Sequence, residues 1–257
     1  MNEVKQIIPA SHWTTRKVFK KTGEDYLNIS EFYYDTIQGE GIYTGYPAAF
    51  LRLKGCHLNC VYCDTTEVWR YGSPWSFNEI FEQINKTNLI SKLMLGQHLV
   101  LTGGSPLLQQ DRLLNFLMTL SSKYHFKPFI EIENEATIMP YYGLETFIKC
   151  WNNSPKLESS GVDFDRRFKP DVIRRLSSFE NSWFKFVISK EDDWDEIEAG
   201  FLMANLIKRE QIILMPEGTT KQEIEMKQDI VVNLAIENDV KYCTREHIVL
   251  WGKKTGI

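Results

Sequence analysis

Three cysteines stand within eight residues of this 257-residue chain, in the spacing Cys-x3-Cys-x2-Cys: Cys56, Cys60 and Cys63. The remaining two, Cys150 and Cys243, stand alone, so the total of five is odd. A disulfide framework is typically an even set of cysteines in a short secreted chain, whereas a tight cluster in a cytosolic chain is typical of metal binding. The N-terminal residues show no secretory pattern. We therefore expect a metal centre in a cytoplasmic protein.

Composition excludes several other classes of protein. Apolar residues make up 43% of the chain and charged residues 25%, which is ordinary for a soluble globular protein and too apolar for a disordered one. The formal net charge of −4 gives no electrostatic reason to expect binding to nucleic acid or to a membrane surface. No apolar run approaches the roughly 18 residues that a transmembrane helix needs.

Hydrophobic periodicity predicts strands that alternate with helices from residue 31 onward. The predicted strands are 31–37, 48–53, 98–104, 129–133, 146–151, 183–189, 211–217 and 245–251. The predicted helices are 77–86, 111–124, 171–178, 194–206 and 220–238, with an irregular insertion at 66–76 and a polar loop at 152–168. About six strand–helix units favour a parallel α/β architecture with fewer units than a full eight-stranded barrel. We predict an N-terminal extension at 1–30 and one domain at 31–257.

The cysteine loop, residues 54–65, suits two kinds of metal centre. A structural zinc site takes four protein ligands, and the available fourth ligands are Cys150 and His57, neither of which has the paired spacing of a zinc ribbon. Three thiolates also suit a [4Fe–4S] cluster in which the protein holds three irons and leaves one open to an exogenous ligand.

The loop resembles the Cys-x3-Cys-x2-Cys signature of the radical S-adenosylmethionine enzymes. The resemblance implies a partial (β/α)6 barrel whose cluster loop follows the first barrel strand, here 48–53. It implies that the amino and carboxylate groups of S-adenosylmethionine chelate the open iron. The segment TGGSP, which contains Gly104, resembles the family's GGEP motif, although Ser105 stands where the motif usually has glutamate.

Residues 35–65 resemble, more narrowly, the N-terminal signature of the 7-carboxy-7-deazaguanine synthases. The shared features are QGEG at 38–41, an arginine four residues before the first cysteine, and CDT at 63–65. Further similar segments are SPK at 154–156, KFV at 185–187, MPEG at 215–218 and the closing segment HIVLWGKKTGI.

That family implies a carbon–nitrogen lyase of 7-deazapurine (queuosine-type) biosynthesis. It would contract the ring of 6-carboxy-5,6,7,8-tetrahydropterin to 7-carboxy-7-deazaguanine, with loss of ammonia and regeneration of S-adenosylmethionine. The implied cofactors are the 4Fe-4S cluster, S-adenosylmethionine and Mg2+. The implied partners are a flavodoxin-type electron donor and a second copy of the chain in a homodimer.

The family's site residues carry over to matching positions. The resemblance implies a pterin site made of Ile37, Gln38, Gly39, Glu40, Arg52, Thr102 and Ile257. It implies a cofactor site made of Tyr62, Cys63, Asp64, Gly104, Glu133, Ser154, Pro155 and Lys156. Glu133 and Ser154 are expected to reach the cofactor's ribose or amino group, and Thr65 is the expected Mg2+ ligand. The residue types suit the chemistry, because arginine offers a planar fork for a carboxylate and a hydroxyl oxygen is a hard ligand.

Two alternatives stay open at this stage. A glycyl-radical activating enzyme shares the cluster loop but acts on a protein partner. A zinc-binding module without enzymatic activity would use the same thiols and would be colourless, whereas an iron–sulfur protein is brown.

Overall fold

The computed structural model describes residues 5–8 and 25–254. Its strands are β1 Lys5–Ile8, β2 Tyr26–Ile37, β3 Pro47–Leu53, β4 Ser73–Ser76, β5 His98–Gly103, β6 Ile130–Asn134, β7 Ile148–Asn153, β8 Ser182–Ile188, β9 Ile212–Pro216 and β10 Lys241–Tyr242. Its α-helices are α1 Thr66–Trp69, α2 Phe77–Lys86, α3 Leu89–Met94, α4 Gln110–Tyr124, α5 Phe164–Arg167, α6 Pro170–Ser177, α7 Asp193–Ile197, α8 Lys221–Glu237 and α9 Glu246–Trp251.

All of these strands belong to one sheet. Its order is β1-β2-β3-β5-β6-β7-β8-β9-β10, and β4 pairs with β2. Every neighbouring pair from β3 to β10 is parallel, whereas β2 runs antiparallel to β1, β3 and β4. The predicted parallel α/β architecture is therefore confirmed. Because parallel strands end at the same edge, the loops that follow them gather there, and the cysteine loop follows β3.

The core lies between the sheet and the helices that cross over it. Strand β5 has five consecutive buried residues with the apolar run 99–101 at their centre, as expected for a strand covered on both faces. Helix α2 buries Phe77, Ile80, Phe81 and Ile84, the positions that its predicted spacing places on one face. Among the described residues, no helix combines the length and apolar character that crossing a membrane requires.

The predicted strand at 245–251 is wrong, because these residues form helix α9. Edge pairing with β9 is made instead by the two residues of β10. In α9, Ile248 is buried while Leu250 is about half exposed. The apolar run thus suggested a buried strand, but only part of it enters the core.

The insertion at 66–76 is also more regular than predicted. It contains α1 and β4, and β4 pairs with the start of β2, which begins at Tyr26 rather than at residue 31. Ser76 and Glu79 form a reciprocal capping box at the start of α2. Helix α3 was not predicted, and the helix predicted at 194–206 consists of α7 followed by a π-helical stretch at 198–202.

Candidate active site

A cavity opens at the edge of the sheet where the parallel strands end. It brings together most of the predicted site residues. Those that line it are Ile37, Gln38, Gly39, Glu40, Arg52, Cys56, Cys60, Tyr62, Cys63, Asp64, Thr65, Thr102, Gly104, Glu133, Ser154 and Lys156. Pro155 is buried and is not among the lining residues. The predicted contact at Ile257 lies outside the described residues.

The three loop thiols are partly buried and face this cavity. Two thiolates on one zinc ion lie at most about 4.6 Å apart, twice the Zn–S distance. In the described part of the chain, the groups whose ligand atoms lie within 4.8 Å of one another do not include the three thiols. The three thiols are therefore not all close enough in this arrangement for one zinc ion to bind them together.

The neighbours of Cys63 favour its thiolate form. Trp69 of α1 donates from Nε1 to Cys63 Sγ at 3.4 Å. Burial raises the pKa of Cys63, but hydrogen bonds from Thr66 and Trp69 outweigh it and hold that pKa below its ordinary value. Because the thiolate is the metal ligand, this environment favours cluster binding.

The TGGSP backbone packs directly on the cysteine loop. A Cβ on Gly104 would lie 2.3 Å from Cys56 Cβ, and one on Gly103 would lie 2.3 Å from Leu53 O. Ser105 N donates to Gly55 O at 2.8 Å. Glycine is therefore required at both positions, because a side chain at 104 would displace the cysteine loop and one at 103 would displace the end of β3.

A hydrogen-bonded set crosses the floor of the cavity. Gln38 donates from Nε2 to Glu133 Oε1 at 3.2 Å, and Thr102 donates from Oγ1 to Glu133 Oε2 at 2.8 Å. Three predicted residues from three different strand ends are thus in contact, and Gln38 is held in a defined orientation.

Arg52 is anchored by a carboxylate that sequence analysis missed. Its Nε donates to Glu31 Oε1 at 3.0 Å, and Glu31 is almost fully buried. The guanidinium has five N–H donors, so this bond leaves others available while it fixes the plane of the fork. Arg52 lines the cavity with its side chain largely buried.

Glu40 lies in a second buried network, with residues that were not predicted. It is ion-paired with Lys185 and, at 3.0 Å, with Arg245 Nε. Burial raises the pKa of Glu40, but Lys185 and Arg245 outweigh it and hold that pKa well below its usual range. Glu40 is therefore ionised.

Arg245, which precedes α9, connects this network to the cysteine loop. It also pairs with Asp64 and donates to Gly218 O at 2.5 Å. The Arg245 guanidinium holds the pKa of Asp64 below its usual range against the opposing effect of burial. The only sequence signal was a charged Arg-Glu-His triplet in an apolar segment.

His247 of α9 explains the glycine at position 39. A Cβ there would lie 2.2 Å from His247 Nδ1, and Gly39 O accepts from Glu246 N at 2.8 Å. His247 also comes within 4.8 Å of the Glu40 and Asp64 oxygens. Burial lowers the pKa of His247.

Thr65, the predicted Mg2+ ligand, lies where the cysteine loop meets α1 and lines the cavity. It occupies the N-cap position of α1, yet its hydroxyl makes no capping hydrogen bond. The hydroxyl lies 3.8 Å from Cys63 Sγ at the cavity wall. Its oxygen is therefore not committed to the helix.

Comparisons with known proteins identify the class of protein to which the chain belongs. A family model described as a 4Fe-4S single cluster domain matches residues 37–134. The 7-carboxy-7-deazaguanine synthase of Pyrobaculum aerophilum is 32% identical over 225 residues, which cover 87% of this chain and 94% of that protein. The synthase of Halobacterium salinarum is 29% identical over 269 residues, covering 95% of this chain and 98% of that protein. The crystal structure of QueE from Escherichia coli shares the fold, with a TM-score of 0.66 and 22% identity over 88% of this chain and 96% of that chain.

A cysteine loop matching a 4Fe-4S single cluster domain, at the carboxyl edge of a parallel sheet, in a chain with near-full-length synthase relatives, defines a radical S-adenosylmethionine enzyme. The near-full-length match to the Pyrobaculum synthase then fixes the reaction class. The chain belongs to the 7-carboxy-7-deazaguanine synthase family, whose members are lyases of 7-deazapurine biosynthesis.

Proposed function

We propose that the cavity binds 6-carboxy-5,6,7,8-tetrahydropterin and that the enzyme converts it to 7-carboxy-7-deazaguanine and ammonia. The observation that carries this proposal is the pairing of two recognition elements in one cavity beside the cysteine loop. One is the Gln38–Glu133–Thr102 set, and the other is Arg52 anchored by Glu31. The first suits the amide-like edge of a pterin, and the second suits a carboxylate.

Glu40 is the proposed acceptor for the guanidine-like N–H groups of the pterin. Its ion pairs with Lys185 and Arg245 keep it ionised, and a carboxylate has about four lone-pair positions. It therefore retains acceptor capacity while both ion pairs are in place. Gln38 supplies the complementary amide, with its side chain oriented by Glu133.

Arg52 is the proposed partner of the substrate carboxylate. A planar guanidinium binds a carboxylate through two parallel N–H bonds, which fixes orientation as well as position. Glu31 holds the guanidinium through Nε, so the arginine is preorganised before substrate arrives.

The cofactors proposed are the cluster, S-adenosylmethionine and Mg2+. When bound, the cluster and S-adenosylmethionine supply the carbon-centred radical that abstracts hydrogen from the pterin. The chain's own residues position the groups. The glycines of TGGSP allow close backbone approach, and Lys156 donates from Nζ to Ser154 Oγ at 2.8 Å. Thr65 offers Mg2+ a hydroxyl oxygen that makes no capping hydrogen bond to α1. A flavodoxin-type electron donor, a homodimeric state and a cytoplasmic location stay predictions.

The alternatives are less well supported. The glycyl-radical activating enzymes share the cysteine loop, but the near-full-length relatives are synthases. A zinc module is disfavoured because the family model that matches residues 37–134 is a 4Fe-4S single cluster domain.

The test is anaerobic incubation of the cluster-loaded protein with the carboxytetrahydropterin, S-adenosylmethionine, Mg2+ and a reductant. Mass spectrometry should show a product lighter than the substrate by one ammonia, with S-adenosylmethionine not consumed in proportion. Arg52→Lys keeps the charge but loses the fork, so it should raise the KM for the pterin more than the Kd for S-adenosylmethionine. Thr65→Ala should require more Mg2+ for turnover, and Thr65→Ser should lie between it and the unaltered protein.

Absence of the ammonia-loss product with intact cluster and bound S-adenosylmethionine would refute the assigned substrate. Equal weakening of pterin and cofactor binding in Arg52→Lys would make Arg52 a structural residue. An unchanged Mg2+ requirement in Thr65→Ala would remove the metal from this position.

A further inference from the structure

Three glutamates follow one another at every second position along and just beyond β6. Glu131 and Glu133 have both carboxylate oxygens paired. Glu131 Oε1 lies 2.7 Å from His98 Nδ1, and its Oε2 accepts from Asn152 Nδ2 at 2.8 Å. The oxygens of Glu133 accept from Gln38 and Thr102. The donors that hold these two carboxylates are thus all on the protein.

Glu135, the third, is different. Its side chain is 4% exposed, and Oε1 accepts from Thr137 Oγ1 at 2.9 Å. Oε2 is buried and has no hydrogen-bond partner among the described residues. His57 Nε2 lies 3.8 Å from Oε1, but it is already hydrogen-bonded to Thr137 Oγ1 at 2.8 Å. A buried acceptor without a donor is costly, so its presence points to a donor supplied by a ligand.

The position of Glu135 limits which group of a ligand can donate a hydrogen bond to Oε2. Glu135 lines the cavity and reaches His57, the residue next to Cys56. It therefore lies at the cluster-loop end of the cavity, where the methionine portion of S-adenosylmethionine must sit to reach the open iron. That portion carries two cationic groups, and only the α-ammonium has N–H donors.

A second unpartnered group lies at the neighbouring strand end. Ser105 Oγ is buried and has no partner among the described residues. Leu101 of β5 and Ile132 of β6 are register partners, so the chain segments that follow them leave adjacent parallel strands. Ser105 and Glu135 are thus on neighbouring loops. Of the two, only Glu135 carries a charge.

We propose that Glu135 binds the α-ammonium group of S-adenosylmethionine and provides the carboxylate that Ser105 does not. The assignment rests on the proposed function, because it takes S-adenosylmethionine as the ligand. It moves the predicted amino-group contact from Glu133 to Glu135. Glu133 already accepts from Gln38 and Thr102 and so belongs to the pterin side of the cavity.

The experiment measures equilibrium binding of three ligands to the cluster-loaded protein under anaerobic conditions. S-Adenosylmethionine has the ammonium and the sulfonium, S-adenosylhomocysteine has only the ammonium, and 5′-methylthioadenosine has neither. The variants are Glu135→Gln, the double variant Glu135→Gln with Ser105→Glu, and Asp171→Asn as a control. Asp171 is a surface carboxylate on α6 whose side chain is 89% exposed.

Glu135→Gln should raise the Kd of S-adenosylmethionine and of S-adenosylhomocysteine roughly 10- to 100-fold, the usual effect of losing a charge-assisted hydrogen bond. Its Kd for 5′-methylthioadenosine should stay unchanged. The double variant should recover much of the lost affinity, and Asp171→Asn should match the unaltered protein. Iron content measured in parallel checks that each variant retains the cluster. If Glu135→Gln loses some iron, recovery of S-adenosylmethionine affinity in the double variant still shows that the carboxylate binds the cofactor.

Other outcomes would overturn the assignment. Unchanged S-adenosylmethionine affinity in Glu135→Gln would leave no role for this carboxylate in binding the cofactor. An equal loss for 5′-methylthioadenosine would place Glu135 on the ribose. If the unaltered cluster-loaded protein bound no S-adenosylmethionine, the proposed function itself would fail. If the unaltered protein binds S-adenosylmethionine and Glu135→Gln binds it equally well, only the assignment of Glu135 fails.

Discussion

Replacing Arg245 by methionine should destabilise the fold and the cysteine loop together. Arg245 is about one-tenth exposed and is paired with two carboxylates, Glu40 and Asp64, while also donating to Gly218 O. Methionine keeps the length of the aliphatic stem but removes every donor. Glu40 keeps Lys185 as a partner, whereas Asp64 loses the cation that holds it ionised.

The magnitude follows from the cost of breaking a buried ion pair, about 3–5 kcal/mol. Because Lys185 still compensates Glu40, the lower end applies, and we expect a loss of about 3 kcal/mol. For a domain of this size each kcal/mol lowers Tm by roughly 2–4 °C, so Tm should fall by roughly 6–12 °C. Adding Asp64→Asn removes the uncompensated charge, so the double variant should be less destabilised than the sum of the two single changes.

The assay is thermal unfolding of the four proteins by circular dichroism at neutral pH, with iron content measured on the same samples. Arg174→Met is the matched control, because Arg174 and Asp171 form an exposed pair whose loss should cost no more than about 1 kcal/mol. If Arg245→Met melted within a degree or two of Arg174→Met, or if the Asp64 and Arg245 effects simply added, the network would not stabilise the site as described.

Three further results are expected. Each of the loop variants Cys56→Ala, Cys60→Ala and Cys63→Ala should abolish or destabilise the cluster, whereas Cys150→Ala and Cys243→Ala should leave it intact. Iron analysis that gave the reverse order would contradict the ligand assignment. Gly104→Ala should lower the iron content, because its Cβ would lie 2.3 Å from Cys56 Cβ and overpacking costs about 1–3 kcal/mol. The control Gly200→Ala should not lower it, since its Cβ would meet Phe168 at 3.9 Å, and equal iron content in both variants would count against the close packing. The fold holds the pKa of Glu40 well below its usual 4.5. The ionised carboxylate therefore stabilises the native state above pH 4.5, and this stabilisation is lost as the pH falls towards the lowered pKa. Below about pH 5, Tm should fall less steeply with decreasing pH in Glu40→Gln than in the unaltered protein, and parallel curves would refute the ionised assignment.

Local patterns predicted the elements whose fold depends on local contacts. The apolar spacing of α2 and its Ser76–Glu79 capping box lie within eleven residues and are visible in the sequence. The alternation of strands and helices likewise predicted a parallel sheet. Segment 245–251 was misassigned because its helix depends on docking against Gly39 and Glu40, far away in the chain.

The same distinction holds for the site. Motif positions near the cysteine loop were predicted by resemblance, and in the structure most of them line one cavity. Lys185, Arg245 and His247 were missed because their roles arise only when β8 and the start of α9 meet Glu40, which is far away in the chain. Glu135 was missed because a carboxylate without a partner is visible only once the positions of all its neighbours are known.

The 205 residues that separate Glu40 from Arg245 also set an order of events during synthesis. A ribosome adds roughly 5–20 residues per second, so roughly 10–40 s pass between the synthesis of Glu40 and that of Arg245, which joins Glu40 to the cysteine loop. A nascent chain therefore has every cluster thiol well before it has the contact that ties the loop to the rest of the site. Cluster insertion into the completed fold must follow the emergence of α9, and a chain interrupted before residue 245 would carry all three thiols on a loop without that anchor.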